Sequence, residues 1–203
     1  MADLNKRRCV YVILVVASLG YLTTSCATLQ APVSPPPLQP REFLRGSREG
    51  IDIAVKPIVE EDEYLQLFDD NLPSIGIVAL WVQARNMRAT AIELNLASWY
   101  IRIANRSFPA LSVQKVLERY YKGRNVRMYA IGADRAARLS MERVAFHQGR
   151  IQPSAEQDGF VFFRIDPSIS AGWTHGATLG MEDIRLDRHS KTNLEVALSH
   201  ANP

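Results

Sequence analysis

Apolar positions along the chain follow two rhythms, a period of two that marks strands and a spacing of three to four that marks helices. Ile51-Asp52-Ile53-Ala54-Val55 alternates and predicts a first strand, which Pro57 ends or places at an edge. Acidic residues Glu60–Glu63 precede Tyr64, Leu65, Leu67 and Phe68, a spacing that predicts one or two helical turns closed by Asn71-Leu72-Pro73. Ile77 to Arg85 is the strongest strand, with Val78, Leu80, Val82 and Ala84 on one face and Ile77, Ala79, Trp81 and Gln83 on the other. Asn86 starts a turn.

Ile92 to Ile103 reads as a strand with a defect. Ile92, Leu94 and Leu96 keep one phase, while Trp99, Ile101 and Ile103 keep the other. A β-bulge near Ala97-Ser98 is the expected cause, because one inserted residue flips the buried face. After a turn at Ala104–Ser107, Ser112 is placed to cap a helix carrying Val113, Val116, Leu117, Tyr120 and Tyr121, with Gly123 as its stop. A second helical pattern runs from Val126 to about Phe146, with Gly132 weakening it. Gly159–Asp166 is a strand apolar on both faces, and Ala177–Asp187 and Thr192–Ser199 are two weaker strands. These elements predict a mainly β fold with inserted helices, an immunoglobulin-like β-sandwich over residues 51–203 with a helical insertion at about 112–147.

The first 50 residues belong to neither rhythm. Lys6, Arg7 and Arg8 precede an apolar run from Val10 to Leu22, and small residues follow up to Cys26. The run is 13 residues long, short of the roughly 20 that a spanning helix needs. A charged start, a moderate apolar core and a small-residue cleavage zone make residues 1–25 a secretory signal peptide. An uncleaved anchor and ordinary secretion are the alternatives, since Ser25-Cys26-Ala27 also has a small-x-small form. Residues 26–50 form a tether, in which Pro32, Pro35, Pro36, Pro37 and Pro40 favour an extended, semi-rigid stalk, with Phe43 and Leu44 available to dock on the domain.

Composition changes the picture in two ways. Taking Asp3, Lys6, Arg7 and Arg8 away from 24 basic and 21 acidic residues leaves 21 against 20, so the pI near 9 gives little reason to expect a nucleic-acid partner. Cys9 lies in the signal segment and Cys26 at its end, so the domain has no cysteine for disulfides, thiol catalysis or a cysteine metal site.

No catalytic signature appears. His147, His175, His189 and His200 lack metal-ligand spacing, and no Gly-x-Ser-x-Gly, Walker loop or dinucleotide fingerprint occurs, so neither metal nor cofactor is expected. The acids at 60–70 lack the alternating pattern of a calcium loop and suit a helix N-terminus instead. A charge contrast stands out. Between Glu118 and Arg150 the basic residues outnumber Glu118, Asp134 and Glu142, against the stretch 60–70 with its six acids and no base. Arg124, Arg127, Arg135 and Arg138 form the candidate interaction face, a solvated helix surface being the plainer reading.

Thr24-Ser25-Cys26 after Leu22 resembles the lipobox of bacterial lipoproteins, although Thr23 stands where that family usually has Leu. The resemblance implies a lipid on the Cys26 thiol, cleavage before it, and, with Ala27 next, sorting to the outer membrane facing the periplasm. With GIVALWVQARN at 76–86, the layout also resembles bacterial lipoproteins that carry a stalk and one immunoglobulin-like domain of uncharacterised function. The expected role is a membrane-anchored, non-enzymatic interaction or structural module of the cell envelope. Its expected partners are the membrane, through the lipid, and an envelope protein or polymer. An envelope hydrolase using His147 or His175 with a carboxylate is one alternative. A small-ligand domain using Trp81, Trp99, Trp173 and Phe160–Phe163 is the other.

Overall fold

The computed structural model describes residue 29 and residues 42–125, 131–169 and 172–199. The fold is mainly β, with ten strands and three α-helices among the described residues. In chain order these are β1 (Leu44–Arg48), β2 (Ile51–Pro57), α1 (Glu61–Phe68), β3 (Ile77–Asn86), β4 (Ile92–Leu94), β5 (Trp99–Ile103), β6 (Arg106–Leu111), α2 (Val113–Gly123), α3 (Ile131–Val144), β7 (Gly149–Ile151), β8 (Glu156–Arg164), β9 (Thr178–Arg185) and β10 (Lys191–Ala197). Among the described residues no helix is long and apolar enough to cross a membrane.

The strands form one antiparallel sheet in the order β1-β2-β3-β8-β6-β5-β9-β4-β7, with β10 also on β9. Strand β6 joins its two halves. Its first four residues pair with β5, and Ala110 and Leu111 pair with Phe163 and Phe162 of β8. What the structure establishes of the expected sandwich is this antiparallel, mainly β class.

Strands β3 and β8 lie side by side from Ile77↔Arg164 to Arg85↔Glu156 and are apolar on both faces. The period-two alternation therefore divides them between two cores. Val78, Leu80 and Val82 of β3, with Val161 and Phe163 of β8, face a core shared with Trp99, Leu179, Met181 and Val196. Ala79, Trp81, Phe160 and Phe162 face a second core, which Tyr64 and Phe68 of α1, Val116 and Tyr120 of α2, and Met141 of α3 cover. Phe68 meets Phe160 edge-on at 5.0 Å between ring centres, and Trp81 meets Phe160 at 4.7 Å. Edge-on rings add about 0.5–1.5 kcal/mol each beyond the area they bury. All three tryptophans are buried, as are Phe160, Phe162 and Phe163. The aromatics considered for a small ligand are therefore core residues.

The defect in the 92–103 segment is a break in place of the expected bulge. Asn95 Oδ1 accepts the Ala97 amide at 3.0 Å and caps a one-turn 3-10 helix, Leu96–Ser98, between β4 and β5. Both strands then pair with β9, β4 at Glu93↔Arg185 and β5 from Trp99↔Met181 to Arg102↔Thr178. The apolar phase flips because the chain turns and starts a new strand. A register shift does occur in the β9–β10 pair between Thr192 and Leu194, where Asp183 takes a left-handed φ of 55° and its amide is held by Asn193 Oδ1.

Two observations concern the stretch read as a tether. The sheet begins at Leu44, so β1 lies inside it, and Gly46 packs close to Leu194 and Val196 of β10. Leu29 is 1% exposed and belongs to the helix-side core with Tyr64, Phe68 and Leu72. Glu42 is also fixed, since the Lys56 ammonium lies 2.8 Å from it and 2.7 Å from Glu63 at the start of α1. Burial alone would lower the Lys56 pKa, but the hydrogen bonds to the two carboxylates outweigh it and raise the value. Leu29 and Glu42 are thus two points of the expected tether that are fixed on the domain. Leu29→Ala is expected to cost about 2–4 kcal/mol, the range for truncating a buried leucine. Urea unfolding of the full chain checks this, and a loss below about 0.5 kcal/mol, the range of a surface change, means that residue 29 is not core.

Candidate functional site

Of the four arginines expected to form one face, the described residues include three, Arg124, Arg135 and Arg138. Arg124 caps the end of α2 and reaches back to the α1 side. Its guanidinium donates to both Asp70 carboxylate oxygens, to the Asn71 carbonyl at 3.0 Å and to Ser74 Oγ at 3.0 Å. It is a structural clamp that joins the acidic run to the basic one. Beside it, burial first and the Asp70 carboxylate second push the Tyr120 hydroxyl up to about 12. Arg135 is exposed on α3, Arg138 is half-buried there, and Arg127 lies outside the described residues, as do Cys26 and His200.

A cluster of cations lies elsewhere among the described residues, in an open groove of about 810 Å³ between α2 and the ends of β6 and β8. Lys115, Arg119 and Lys122 line one wall and Arg106 and Arg164 the other, with Glu118 and Asp166 as the only carboxylates among the described lining residues. Lys115, Lys122 and Arg164 are exposed and have no ion-pair partner among the described residues. Helix α2 sets the first wall. Ser112 Oγ accepts the Lys115 amide at 3.4 Å and starts the helix, while Val116, Leu117 and Tyr120 bury its inner face. Spacings of four and three residues then place Lys115, Arg119 and Lys122 in one row, rising about 6 Å and then about 4.5 Å along the axis.

Two of the arginines are held in place. Arg119 Nε donates to the Ile75 carbonyl at 3.1 Å, which leaves its two terminal nitrogens for other acceptors. Arg106 lies over the Phe108 ring at 5.2 Å. The carboxylates already have local partners. Asp166 accepts the Ser168 amide at 3.0 Å and the Ser168 hydroxyl at 2.8 Å, bonds that hold its pKa below the usual carboxylate range. Glu118 accepts from Gln114 at 2.9 Å. Five cations face two occupied carboxylates, an arrangement suited to attracting and holding an anion.

A second groove of about 630 Å³ has Phe146, Phe160, Phe162 and Leu111 in its lining and also collects Ser112, Glu142 and His147. No hydrogen bond joins these three polar side chains among the described residues, and Ser112 Oγ is engaged at the helix cap. His175 and His189 are exposed and lie on separate turns. Among the described residues no group of three or more His, Cys, Asp or Glu is placed to hold a metal ion. The acids at 60–63 stand at the first turn of α1, as their sequence position predicted.

The row on α2 was not among the expected site residues, although basic residues at helical spacing were a signal for it. Arg106 and Arg164 gave no local signal, because the antiparallel pairing of β6 with β8 brings them to it.

No protein-family model matches the chain, and no curated protein matches it. Two solved structures are similar at a distance. A "putative lipoprotein (ycdA)" from Bacillus subtilis matches over 76% of this chain and 38% of its own length, at 10% identity and a TM-score of 0.39. A functionally unknown protein from Listeria monocytogenes matches over 75% of this chain and 79% of its own, at 8% identity and a TM-score of 0.41. The chain thus spans well under half of the Bacillus protein. Both likenesses fall below the level that establishes a shared fold.

Proposed function

We propose that the chain is an exported lipoprotein, anchored through Cys26, whose domain serves as a non-enzymatic interaction module of the bacterial cell envelope. In this reading the domain is an immunoglobulin-like sandwich and faces the periplasm from the outer membrane. The observation that carries it is the groove between α2 and β6, where Lys115, Lys122 and Arg164 stand exposed and unpaired beside two anchored arginines. Such a surface steers and holds an anionic partner. Leu29 supports the anchor's role: it is buried three residues after Cys26. Three residues of chain span at most about 11 Å, so a lipid on Cys26 would keep the domain at the bilayer.

The test has two arms. Growth with an alkyne-bearing fatty acid should label the wild type and leave it in the membrane pellet, while Cys26→Ala should be unlabelled and released. An unlabelled, soluble wild type overturns the anchor. In cells, formaldehyde cross-linking of the anchored chain should recover envelope components that the triple variant Lys115→Glu/Lys122→Glu/Arg164→Glu no longer recovers. Equal recovery overturns the groove as the contact surface.

A further inference from the structure

We infer that the α2–β6 groove is a binding site for a row of phosphate groups, an inference that rests on the interaction-module reading and names the chemistry of its ligand. Three features point to phosphates in series. First, Lys115, Arg119 and Lys122 lie along about 10 Å of one helix face, a line of positive charge suited to several linked anions better than to one. Second, the opposite wall adds Arg106 and Arg164, so an anion in the groove meets cations from two sides. Three of the five cations are arginines, whose planar donor fork matches phosphate oxygens with two parallel bonds. Arg119 is prepared for this, since its Nε is spent on the Ile75 carbonyl and its terminal nitrogens remain.

Third, the lining is mixed. Phe108, Pro109, Leu111 and Ile165 also line the groove, so the ligand meets apolar surface between the charges. A chain that alternates phosphates with carbon units, or a layer of phospholipid head groups, has that character. The two carboxylates do not close the site. Asp166 is tied to Ser168 and Glu118 to Gln114, and neither forms an ion pair with a groove cation among the described residues, although Asp166 feels the Arg106 charge. The basic cluster near β9 differs in this respect: Arg185 lies 3.4 Å from Glu93 and Lys191 2.8 Å from Asp183, so half of that cluster is already paired.

The test uses the full chain purified in a neutral detergent. Inorganic polyphosphate and vesicles of phosphatidylglycerol are the two phosphate sources, and poly-glutamate of similar length is the carboxylate comparison. The wild type should bind at least one phosphate source and prefer it to poly-glutamate by about tenfold or more, with affinity falling as salt screens the charges. Lys115→Glu/Lys122→Glu/Arg164→Glu should weaken that binding by about tenfold or more, since all three side chains are exposed and unpaired. Arg150→Glu/Arg188→Glu, which reverses charge away from the groove, should leave it within about twofold. Binding to polyphosphate alone assigns a soluble polyanion, and binding to vesicles alone assigns lipid head groups.

Equal or better binding to poly-glutamate overturns the phosphate assignment, as does equal loss in the two reversal variants. If cross-linking in cells depends on the groove while neither phosphate source binds, the ligand class is wrong and the interaction module stands. If neither depends on the groove, both fail.

Discussion

Gly159→Ala is expected to lower the unfolding free energy by about 2–5 kcal/mol, the sum of a backbone strain of about 1–2 kcal/mol and an overpacking cost of about 1–3 kcal/mol. Gly159 has a φ of +154°, and a Cβ there would stand 2.5 Å from the Phe146 amide nitrogen, 2.6 Å from its Cα and 2.7 Å from the Ala145 carbonyl carbon. All three are backbone atoms, so no side chain can rotate aside. The contact has a purpose in the fold. The chain leaving α3 lies directly against β8, where the Phe146 amide donates to the Phe160 carbonyl at 2.8 Å. That bond aims Phe146 into the sheet core, 5.1 Å from the Trp99 ring. A methyl group at 159 pushes this segment off β8 and takes Phe146 with it. Gly149→Ala supplies the comparison, because Gly149 has a φ of +140° with nothing within 4 Å of the added atom and pays for strain alone. Fluorescence of the three buried tryptophans during urea unfolding reads both variants. If Gly159→Ala is no worse than Gly149→Ala, the close approach of the two backbones is wrong.

The same residue shows where sequence reading reached and where it stopped. Gly159 opened a strand that the pattern marked as covered on both sides, and β8 is covered on both sides. Long elements with a clear rhythm were legible for a physical reason: β2, β3, β8, α1 and α2 each bury a face wide enough to print a period. Strands β1, β6 and β7 were not. Strand β7 has three residues, β6 carries Pro109, and β1 is exposed at three of its five positions. Such segments pair because their neighbours already form an edge, and tertiary context decides them.

The candidate site divided in the same way. The helix row Lys115, Arg119 and Lys122 had a signal in its spacing but was passed over for Arg124, Arg127, Arg135 and Arg138, and the second wall needed the β6–β8 pairing. Arg124 looked free in sequence because its partner, Asp70, stands on a different element. Leu29 sits in a Pro-rich context that suggests solvent, and only the helix-side core reveals it as buried. The last three of these misses are long-range pairings.

Asn86→Asp is expected to destabilise the protein by about 4 kcal/mol or more at neutral pH, and to recover part of that loss in acid. Asn86 is wholly buried. Its side-chain amide donates to the Thr90 carbonyl at 2.9 Å and to the Ile151 and Gln152 carbonyls at 3.1 Å each, two hydrogens shared among three acceptors. Its Oδ1 accepts the Arg88 amide at 3.0 Å, and its own amide donates to Ala155 at 3.0 Å. One side chain thus fastens the end of β3 to the following turn and to the start of the β7–β8 connection. Aspartate has nearly the same shape but turns donors into acceptors. A buried carboxylate facing three carbonyl oxygens is left with only the Arg88 amide, and each buried group left unpaired costs about 1–3 kcal/mol. Burial and the facing carbonyls both favour the neutral acid, so the folded-state pKa of Asp at 86 rises above the unfolded value of about 3.9. A raised carboxyl pKa means that the folded state binds the proton more tightly, so stability falls as pH climbs from the unfolded pKa through the folded one and returns below it. The protonated acid also regains one donor for the carbonyls. Asn86→Ala removes both functions without adding charge, so it should cost about 2–6 kcal/mol, two unpaired groups at about 1–3 kcal/mol each, and its difference from wild type should not change with pH. Urea midpoints compared between about pH 4.5 and pH 7.5, above the unfolded value of about 3.9, separate the two variants. A pH-independent Asn86→Asp would mean that the side chain reaches water and does not join the two turns.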